Sequence, residues 1–160
     1  MEKIDSLNQV AEFHRTFNAP ILDTPQIPSK ERCELRLTLL QEELNELRDA
    51  IADNDIVEVA DALCDLQYVL SGAVLEFGLG EKFVELFNEV QRSNMSKACS
   101  TQEEADETIA FYKDKGEEAF SEISGKKINV HRKSDYKVLK NKYYSPADLR
   151  TILADKAVEI

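Results

Sequence analysis

Apolar residues recur at every third or fourth position through most of the first 115 residues, which is the spacing of amphipathic α-helices. Capping residues, prolines and glycines separate these stretches. The pattern predicts helices over residues 4–17, 29–52, 54–77, 81–94 and 101–115. Beyond residue 116 the spacing shortens, which predicts strands at 119–123, 127–131 and 136–139 and a last helix over 145–153. We therefore expect an all-α helical bundle with a small C-terminal β-hairpin or ribbon.

The third predicted helix is apolar on nearly every side. Only a narrow acidic stripe interrupts it, made by Glu58, Asp61 and Asp65 within about 60° of the helical wheel. A helix that is apolar nearly all round is a buried helix. Its acidic stripe is therefore expected to point at something inside the protein.

The second predicted helix carries an acidic cluster on its own apolar side. At about 100° per residue, Glu43 and Glu46 fall within the arc occupied by leucines and alanines, and Glu42 lies at its edge. The short turn at 53–55 would make the two helices antiparallel neighbours, so the two acidic clusters would face each other. Because carboxylates are rarely buried without a partner, a divalent metal site is the economical explanation.

A solvated helix face is the alternative, since acids at i, i+3 and i+4 most often face water. Two features count against it. The acids lack interleaved lysine or arginine, because Arg48 lies on the far side of the wheel. A second acidic stripe also follows on the adjacent helix.

Length and composition are those of one globular domain. The 160 residues are 42% hydrophobic and 32% charged, so we assign residues 1–160 to a single domain, with a helical core at 4–115 and a β-ribbon and final helix at 116–160. The net charge of −11 argues against nucleic acid or an anionic membrane as a partner, because phosphate groups would be repelled. Bound metal would neutralise part of that charge.

Cysteine usage and the N-terminus bear on the compartment. Cys33, Cys64 and Cys99 are odd in number and widely spaced, so neither a disulfide framework nor a CxxC zinc motif is available. The N-terminus has no positive region followed by an apolar stretch, and no apolar window reaches the length of a membrane span. A soluble, cytoplasmic protein is the expectation.

Oxygen ligands dominate the candidate chemistry. His14 and His131 are far apart, and neither forms an ExxH pair with the acids, which weakens a ferritin-like di-iron site without eliminating it. All-oxygen ligation favours Mg²⁺, with Mn²⁺ as an alternative. Because the sequence has neither a GxxxxGK[ST] loop nor a GxGxxG turn, metals and side chains would have to hold any bound phosphate.

Two downstream segments supply cations and polar groups. Residues 92–97, which include Asn94 and Lys97, lie where the fourth predicted helix ends, and residues 137–144, which include Lys140 and Tyr144, are basic and aromatic. Cations at a helix end are more often dipole partners, and the second segment equally fits a surface hairpin end. A metal-phosphate site nonetheless needs such groups to hold the outer phosphates.

The EExxE pattern followed by ExxD on the next helix resembles the all-α nucleoside triphosphate pyrophosphohydrolase superfamily, which contains the MazG-like enzymes, dimeric dUTPases and phosphoribosyl-ATP pyrophosphohydrolases. The matching positions are Glu42, Glu43, Glu46, Glu58 and Asp61. Segments 92–97, 137–140 and 144–149 are similar to the downstream segments of the phosphoribosyl-ATP pyrophosphohydrolase-like branch. The likeness covers roughly residues 13–153. It departs from the family at 142–143, where a more glycine-like turn is expected.

The resemblance implies a MazG-like helical bundle and Mg²⁺-dependent cleavage of a (deoxy)nucleoside triphosphate between its α and β phosphates, with dUTP as one candidate. The products would be a nucleoside monophosphate and pyrophosphate. The five matching acids would hold the metal, with Glu43 as the general base and Glu42 as the alternative. The residues assigned to substrate are Asp65, Asn94, Lys97, Lys140 and Tyr144. The family also suggests a homodimer or a dimer of dimers.

Two other functions stay open at this point. One is cleavage of phosphoribosyl-ATP by the same fold, and the other is a non-catalytic helical module that binds nucleotides. The base preference depends on where Phe13, His14 and Phe17 lie, which periodicity cannot locate.

Overall fold

The computed structural model describes residues 4–154 and is mostly helical, with 59% of residues in helices and a small three-stranded antiparallel sheet in the C-terminal part. This agrees with the predicted helix-rich fold. The elements in chain order are α1 (Ser6–Thr16), α2 (Lys30–Ala52), α3 (Ile56–Glu76), a 3-10 turn (Gly80–Lys82), α4 (Phe83–Met95), α5 (Gln102–Lys113), β1 (Ala119–Ser124), β2 (Lys127–Arg132), β3 (Val138–Leu139) and α6 (Leu149–Ala154).

The chain divides into two compact units, Met1–Phe83 and Val84–Ile160. The two units divide at the start of α4. This is well before residue 116, the position at which the sequence pattern changes from helix to strand. Assignment of residues 1–160 to one domain stays a prediction, and its two ends, 1–3 and 155–160, lie outside the described residues. Between residues 4 and 154, no single helix is long and apolar enough to cross a membrane; only α3 taken together with Gly80–Met95 meets that test, by length and composition.

Helix starts follow the capping residues of the sequence. The Ser29 hydroxyl accepts from the Arg32 amide at the start of α2, and the Thr101 hydroxyl accepts from the Glu104 amide at the start of α5. Asp55 caps α3 by accepting from the amides of Val57 and Glu58 at 2.9 and 3.3 Å. Each cap satisfies amide groups that have no partner inside the helix.

In the first unit, α3 packs against both α1 and α2. The buried apolar residues of the unit include Val10 and Ala11 of α1 and Leu75 of α3, with Ile21 against them. The first half of α3 is different, because Ile56, at 75% exposed, and Leu63, at 52%, face outward in the single chain. The prediction that α3 is buried on all sides is therefore wrong, most clearly for its first half. Local periodicity reports an apolar surface but not what covers it.

The second unit contains the sheet, with strand order β1-β2-β3. Strands β1 and β2 form a hairpin in which Ser124 pairs with Lys127, and Gly125 takes the left-handed φ of +60° that such a tight turn requires. Helix α5 covers the sheet, and the core there contains Cys99, Ala105, Val130 and Leu139. All three predicted strands are therefore present, and the third is shortened to the two residues Val138–Leu139.

The last helix begins later than the sequence suggested. Asp148 accepts from the amide and the hydroxyl of Thr151 at 3.2 and 2.7 Å, so α6 starts at Leu149 rather than at the Ser-Pro dipeptide 145–146. The helix therefore begins after Asp148, whose side chain satisfies a free amide of the first turn, and not at Pro146.

Candidate metal and nucleotide site

Helices α2 and α3 carry the predicted acidic clusters and pack extensively against each other. Only residues 53–55 connect these two long helices, so they run antiparallel as a helical hairpin. This arrangement lets acids from both helices share one face, as the sequence analysis expected.

An acidic cleft of about 290 Å³ lies at the turn end of the hairpin. Three of the predicted acids line it: Glu46 from α2, and Glu58 and Asp61 from α3. All three are exposed, which corrects the expectation that the α3 stripe points into a closed interior. The cleft has further acidic lining residues that the sequence analysis did not assign, namely Asp49, Asp53 and Asp55.

Glu43 is the most constrained acid of the set. Its Oε2 is buried and, among the described residues, has no hydrogen-bond partner. Burial raises the pKa of Glu43, and the negative charges of Glu46, Asp65, Glu42 and Asp61 raise it further. Glu43 therefore lies near four of the other predicted acids and meets only like charge there.

The donor chemistry of this face fits a hard divalent cation. It is made of carboxylate oxygens, and the ion pairs recorded within residues 4–154 bring no lysine or arginine to Glu43 or its four acidic neighbours. Arg48 contacts Asp49 instead, at 3.1 Å. As positioned, however, no three histidine, cysteine or acidic side chains of the described part of the chain form a group that could coordinate one ion. The acids share a face but do not form a closed coordination shell.

A second buried carboxylate, which was not among the predicted site residues, shows the opposite arrangement. Glu76 is 1% exposed at the end of α3, and its two oxygens accept hydrogen bonds from Arg32 and Arg36 of α2. Burial alone would raise the pKa of Glu76, but the two arginine hydrogen bonds outweigh it and lower the pKa. The sequence signal was an acid in an otherwise apolar helix end together with two arginines spaced i, i+4 on the preceding helix.

The four downstream residues assigned to substrate all belong to the second unit. Lys97 donates to the Asn94 side chain at 2.8 Å, and the Lys140 ammonium lies 4.5 Å from the centre of the Tyr144 ring. The two pairs are also joined through the backbone, since the Asn141 amide donates to the Lys97 carbonyl at 2.9 Å. Segments 92–97 and 137–144 therefore come together within this unit.

Tyr144 has a second partner in the same unit, because its hydroxyl lies 3.0 Å from the Ser93 hydroxyl. Lys142 and Tyr143, at the position where the family pattern departs, both bind Glu107 of α5. The hydrogen bond from Tyr143 lowers the pKa of Glu107, and Lys142 lowers it further. The turn at 142–143, which differs from the family pattern, is therefore held against α5 by side-chain contacts with Glu107.

Comparison with known protein families places this chain in one family. Residues 10–94, slightly more than half of the chain, match the family described as phosphoribosyl-ATP pyrophosphohydrolase. The chain belongs to this family, within the MazG-like nucleotide pyrophosphohydrolase superfamily. The matched residues include the acids of α2 and α3 and also Asn94, whereas Lys97, Lys140 and Tyr144 lie beyond them. Family membership supports a pyrophosphohydrolase type of activity in general, and the family generally uses a divalent metal such as Mg²⁺.

This chain is also similar to a protein of Acanthamoeba polyphaga mimivirus, which is described as uncharacterized protein L479. The two are 37% identical over 82 residues, which is 49% of this chain and 33% of the relative. The match thus spans about a third of the length of that relative.

Proposed function

We propose that this protein is a Mg²⁺-dependent nucleoside triphosphate pyrophosphohydrolase, which cleaves a (deoxy)nucleoside triphosphate between the α and β phosphates. The products are a nucleoside monophosphate and pyrophosphate. The observation that carries the proposal is the Glu43 Oε2 atom, which is buried without a donor among the described residues and is surrounded by four carboxylates. A protein tolerates such an atom when a cation is the missing partner.

The acids of the hairpin would hold the cation. They are the residues of the EExxE and ExxD motifs, Glu42, Glu43, Glu46, Glu58 and Asp61. When bound, Mg²⁺ neutralises charge on the phosphate oxygens and lowers the pKa of water. Exposed carboxylates at Glu46, Glu58 and Asp61 can rotate about their side-chain bonds, so an open acidic face can close around an ion.

The residues of the chain then divide the remaining work. The Glu43 carboxylate takes a proton from the attacking water through an oxygen that does not bind the cation, with Glu42 as the alternative base. Asp65 lies close enough to Glu43 for its charge to act on it, and it serves as a contact for the substrate. In the second unit, the amide of Asn94 and the ammonium groups of Lys97 and Lys140 are assigned to phosphate, and Tyr144 to the nucleotide.

A second copy of the chain is the proposed partner. Two rows of apolar residues, each spaced by seven, remain between 44% and 75% exposed along the hairpin. They are Leu37, Leu44 and Ile51 on α2 and Ile56, Leu63 and Leu70 on α3. Seven-residue rows are the pattern of helices that pack against helices of another chain. We therefore propose a MazG-like helical bundle completed by a homodimer, or by a dimer of dimers.

Sedimentation tests the assembly proposal. A Leu37→Glu variant places a charge in the α2 row and is expected to shift the protein toward monomer, whereas Ile27→Glu, an exposed apolar residue outside both rows, is expected to sediment as the parent does. A parent protein that is monomeric at high micromolar concentration would contradict the proposal.

Pyrophosphate release tests the activity. The purified chain is incubated with a panel of ribo- and deoxyribonucleoside triphosphates, including dUTP, and with phosphoribosyl-ATP, first with Mg²⁺ and then with a chelator. We expect release from at least one triphosphate with Mg²⁺ and loss of release on chelation. Mn²⁺ should restore activity after chelation, because it takes the same oxygen ligands.

The same panel separates the competing functions. Turnover of phosphoribosyl-ATP alone would assign the protein to that reaction, which is the second candidate because the matched family carries its name. Nucleotide binding without release from any substrate would identify a non-catalytic module and reject the proposal.

A further inference from the structure

A buried asparagine joins the two segments of the second unit that carry the lysines assigned to phosphate. Asn141 is 7% exposed and directly follows Lys140 in the chain. Its backbone amide donates to the carbonyl of Lys97 at 2.9 Å. The peptide bond that follows Lys140 is therefore hydrogen-bonded to the peptide bond that follows Lys97, although the two lysines lie far apart in the sequence.

The side chain of Asn141 has a partner for each of its polar atoms. Its Nδ2 lies 3.3 Å from a carboxylate oxygen of Glu104 in α5 and 3.5 Å from the carbonyl of Ala98. Its Oδ1 accepts from the backbone amide of Tyr143 at 3.0 Å. Because both partners of Nδ2 are acceptors and Tyr143 is a donor, these partners determine the orientation of the side-chain amide. Asparagine supplies both kinds of atom, whereas alanine supplies neither.

The partners of Asn141 are themselves fixed within the second unit. The Glu104 carboxylate also accepts from the amide of Ser100 at 2.7 Å. The backbone of Cys99 pairs with that of Ile128 in β2 through hydrogen bonds of 2.8 and 3.0 Å. The segment to which Asn141 binds is thus attached both to α5 and to the sheet. A buried network whose members are satisfied in this way holds one geometry.

The same asparagine supports Lys140 through Tyr144. The carbonyl of Asn141 accepts from the Tyr144 amide at 2.8 Å, and the Tyr144 hydroxyl lies 3.0 Å from the Ser93 hydroxyl. The Lys140 ammonium lies 4.5 Å from the centre of the Tyr144 ring, which is within the range of a cation–π contact. The Tyr112 hydroxyl of α5 donates to the Lys140 carbonyl at 3.1 Å. Asn141 therefore fixes the backbone of the ring against which the Lys140 ammonium lies.

Lysines that bind one phosphate chain benefit from a backbone that already holds them near each other. Each long side chain loses rotamer freedom when it binds, and a segment that is already in place reduces the ordering that binding requires. Like charges also repel each other, so the two segments need a link that does not depend on their lysines. The hydrogen bonds of Asn141 provide this link.

We infer that Asn141 is a positioning residue of the proposed pyrophosphohydrolase and holds Lys97 and Lys140 as one phosphate-binding pair. Asn141 acts through the lysines and not on the substrate, because its own side chain is buried and already hydrogen-bonded. The inference rests on the proposed function for the role of the two lysines and adds the group that keeps them together. Loss of the Asn141 side chain should weaken substrate binding through both lysines and leave the chemical step unchanged.

Steady-state kinetics of Asn141→Ala test this role. We expect KM for the best substrate of the panel to rise about fivefold to tenfold and kcat to stay within about twofold, because binding and not chemistry is affected. Val130→Ala is the matched control, since it removes buried atoms from the core of the same unit. It should lower the melting temperature without raising KM. An unchanged KM in Asn141→Ala would overturn the inference.

A double-mutant cycle separates positioning from general destabilisation. In a Lys97→Ala/Lys140→Ala background, a residue that acts through these lysines has nothing left to position. Adding Asn141→Ala should therefore not raise KM further. A defect of the whole unit would raise KM in this background by the same factor as in the parent protein. That result would show a merely structural role and overturn the inference.

An exchange of donor and acceptor tests the contact between Asn141 and Glu104. Asn141→Asp places a second carboxylate against Glu104 and should raise KM at least as much as Asn141→Ala. Combining it with Glu104→Gln returns an amide donor to the pair, so we expect most of the lost affinity to be recovered. No recovery would show that this contact does not hold the segment, and would contradict the inference.

Binding of inorganic tripolyphosphate keeps the test independent of turnover. In metal-free buffer this probe offers a phosphate chain without a base and without the cation that the acidic face needs, so the lysines are left to bind it. Isothermal titration should show binding to the parent and to Val130→Ala, about fivefold to tenfold weaker binding to Asn141→Ala, and the weakest binding to Lys97→Ala/Lys140→Ala.

The two measurements distinguish failure of the inference from failure of the proposed function. Tripolyphosphate binding that depends on Asn141, in a protein that releases no pyrophosphate from any substrate, would uphold the positioning role and reject the proposed activity. Pyrophosphate release together with equal tripolyphosphate binding by the parent and Asn141→Ala would reject the positioning role and leave the activity intact.

Discussion

Two carboxylates on the α2–α3 hairpin have buried oxygen atoms, but the charges around one are opposite in sign to the charges around the other. Glu76 accepts hydrogen bonds from two arginines, and its pKa is lowered. Glu43 has only like charges near it, its Oε2 has no donor within residues 4–154, and its pKa is raised. Both side chains come from the same pair of helices, so the difference lies in the partners and not in the backbone.

The contrast separates a carboxylate that stabilises the fold, Glu76, from one that is proposed to bind a cation, Glu43. A buried ion supplied with its own counter-ions contributes to a defined fold, whereas removing one partner leaves an uncompensated charge. In the chain alone, Glu43 already is such a charge without a counter-ion. A bound cation would supply Glu43 with the counter-charge that Arg32 and Arg36 supply to Glu76. The two carboxylates can therefore be compared directly by experiment.

The largest expected effect is on turnover. Glu46→Gln and Asp61→Asn each remove a charged ligand from the acidic face, and we expect activity to fall about ten-thousand-fold, equivalent to about 5.5 kcal/mol of transition-state stabilisation. Helical content measured by circular dichroism should not change. The matched control is Glu34→Gln on α2, an exposed acid whose ion pair within residues 4–154 is with Lys30. Near-normal turnover in either variant would contradict the assignment of that residue as a metal ligand.

The next effect is on folding and concerns the other carboxylate. Glu76→Gln leaves Arg32 and Arg36 without their counter-charge, and we expect the free energy of unfolding to fall by about 3–5 kcal/mol. Denaturant titration measures it. Glu43→Gln in metal-free buffer should leave stability unchanged or raise it, because it removes a charge that has only like neighbours. If both substitutions destabilise equally, the two carboxylates do not differ as proposed.

Added metal should stabilise the parent protein through the acidic face alone. At a Mg²⁺ concentration 100 times the dissociation constant, the expected gain is about 2.7 kcal/mol, because the ion binds only the folded state. Thermal or denaturant unfolding with and without Mg²⁺ measures it. Glu34→Gln should keep the gain and Glu43→Gln should lose it. A gain that survives in Glu43→Gln would place the ion elsewhere.

Acid should erase the advantage of Glu76. Its pKa is lowered in the folded protein, so its stabilising contribution is complete above the unfolded value near 4.5 and is lost as the pH falls through the lower folded pKa. Unfolding of the parent and of Glu76→Gln, compared from pH 7 downward, should show a stability difference that is constant above pH about 5 and shrinks below about 4.5. A difference independent of pH would show that packing, not charge, carries the effect.

The smallest expected effect concerns a cation of the second unit. Lys97 already has a partner in Asn94, so Lys97→Ala should chiefly raise KM by a few-fold, through one lost phosphate contact, and leave kcat nearly unchanged. Steady-state kinetics with the best substrate of the panel measures this. Unchanged KM and kcat would return Lys97 to the role of a surface residue.

Much of the local structure was accessible from the sequence. Ser29, Asp55 and Thr101 mark helix starts because a short polar side chain satisfies free amides wherever it precedes a helix. The hairpin of β1 and β2 followed from its turn residues for a similar reason. Start signals failed only near α6, where two of them compete and the contacts of Asp148 decide.

Other features could not be obtained that way. The pairing of Glu76 with Arg32 joins positions 44 apart in sequence, and the contact of Tyr68 with Phe13 joins α3 to α1. Periodicity assigns a face to each residue but does not state which face of another helix it meets. The same limit explains why α3 was expected to be buried throughout, although its first half is exposed in the single chain.

The sequence by itself determined where most helices begin and end, which acids share a helix face, and that the acidic motifs resemble a family of pyrophosphohydrolases. These properties depend on neighbours within a few turns. Only the tertiary structure decided which carboxylate receives arginines and which receives none, and which aromatic rings of α1 and α3 meet. Those outcomes depend on contacts between distant segments, where packing and charge act through space and leave no local pattern.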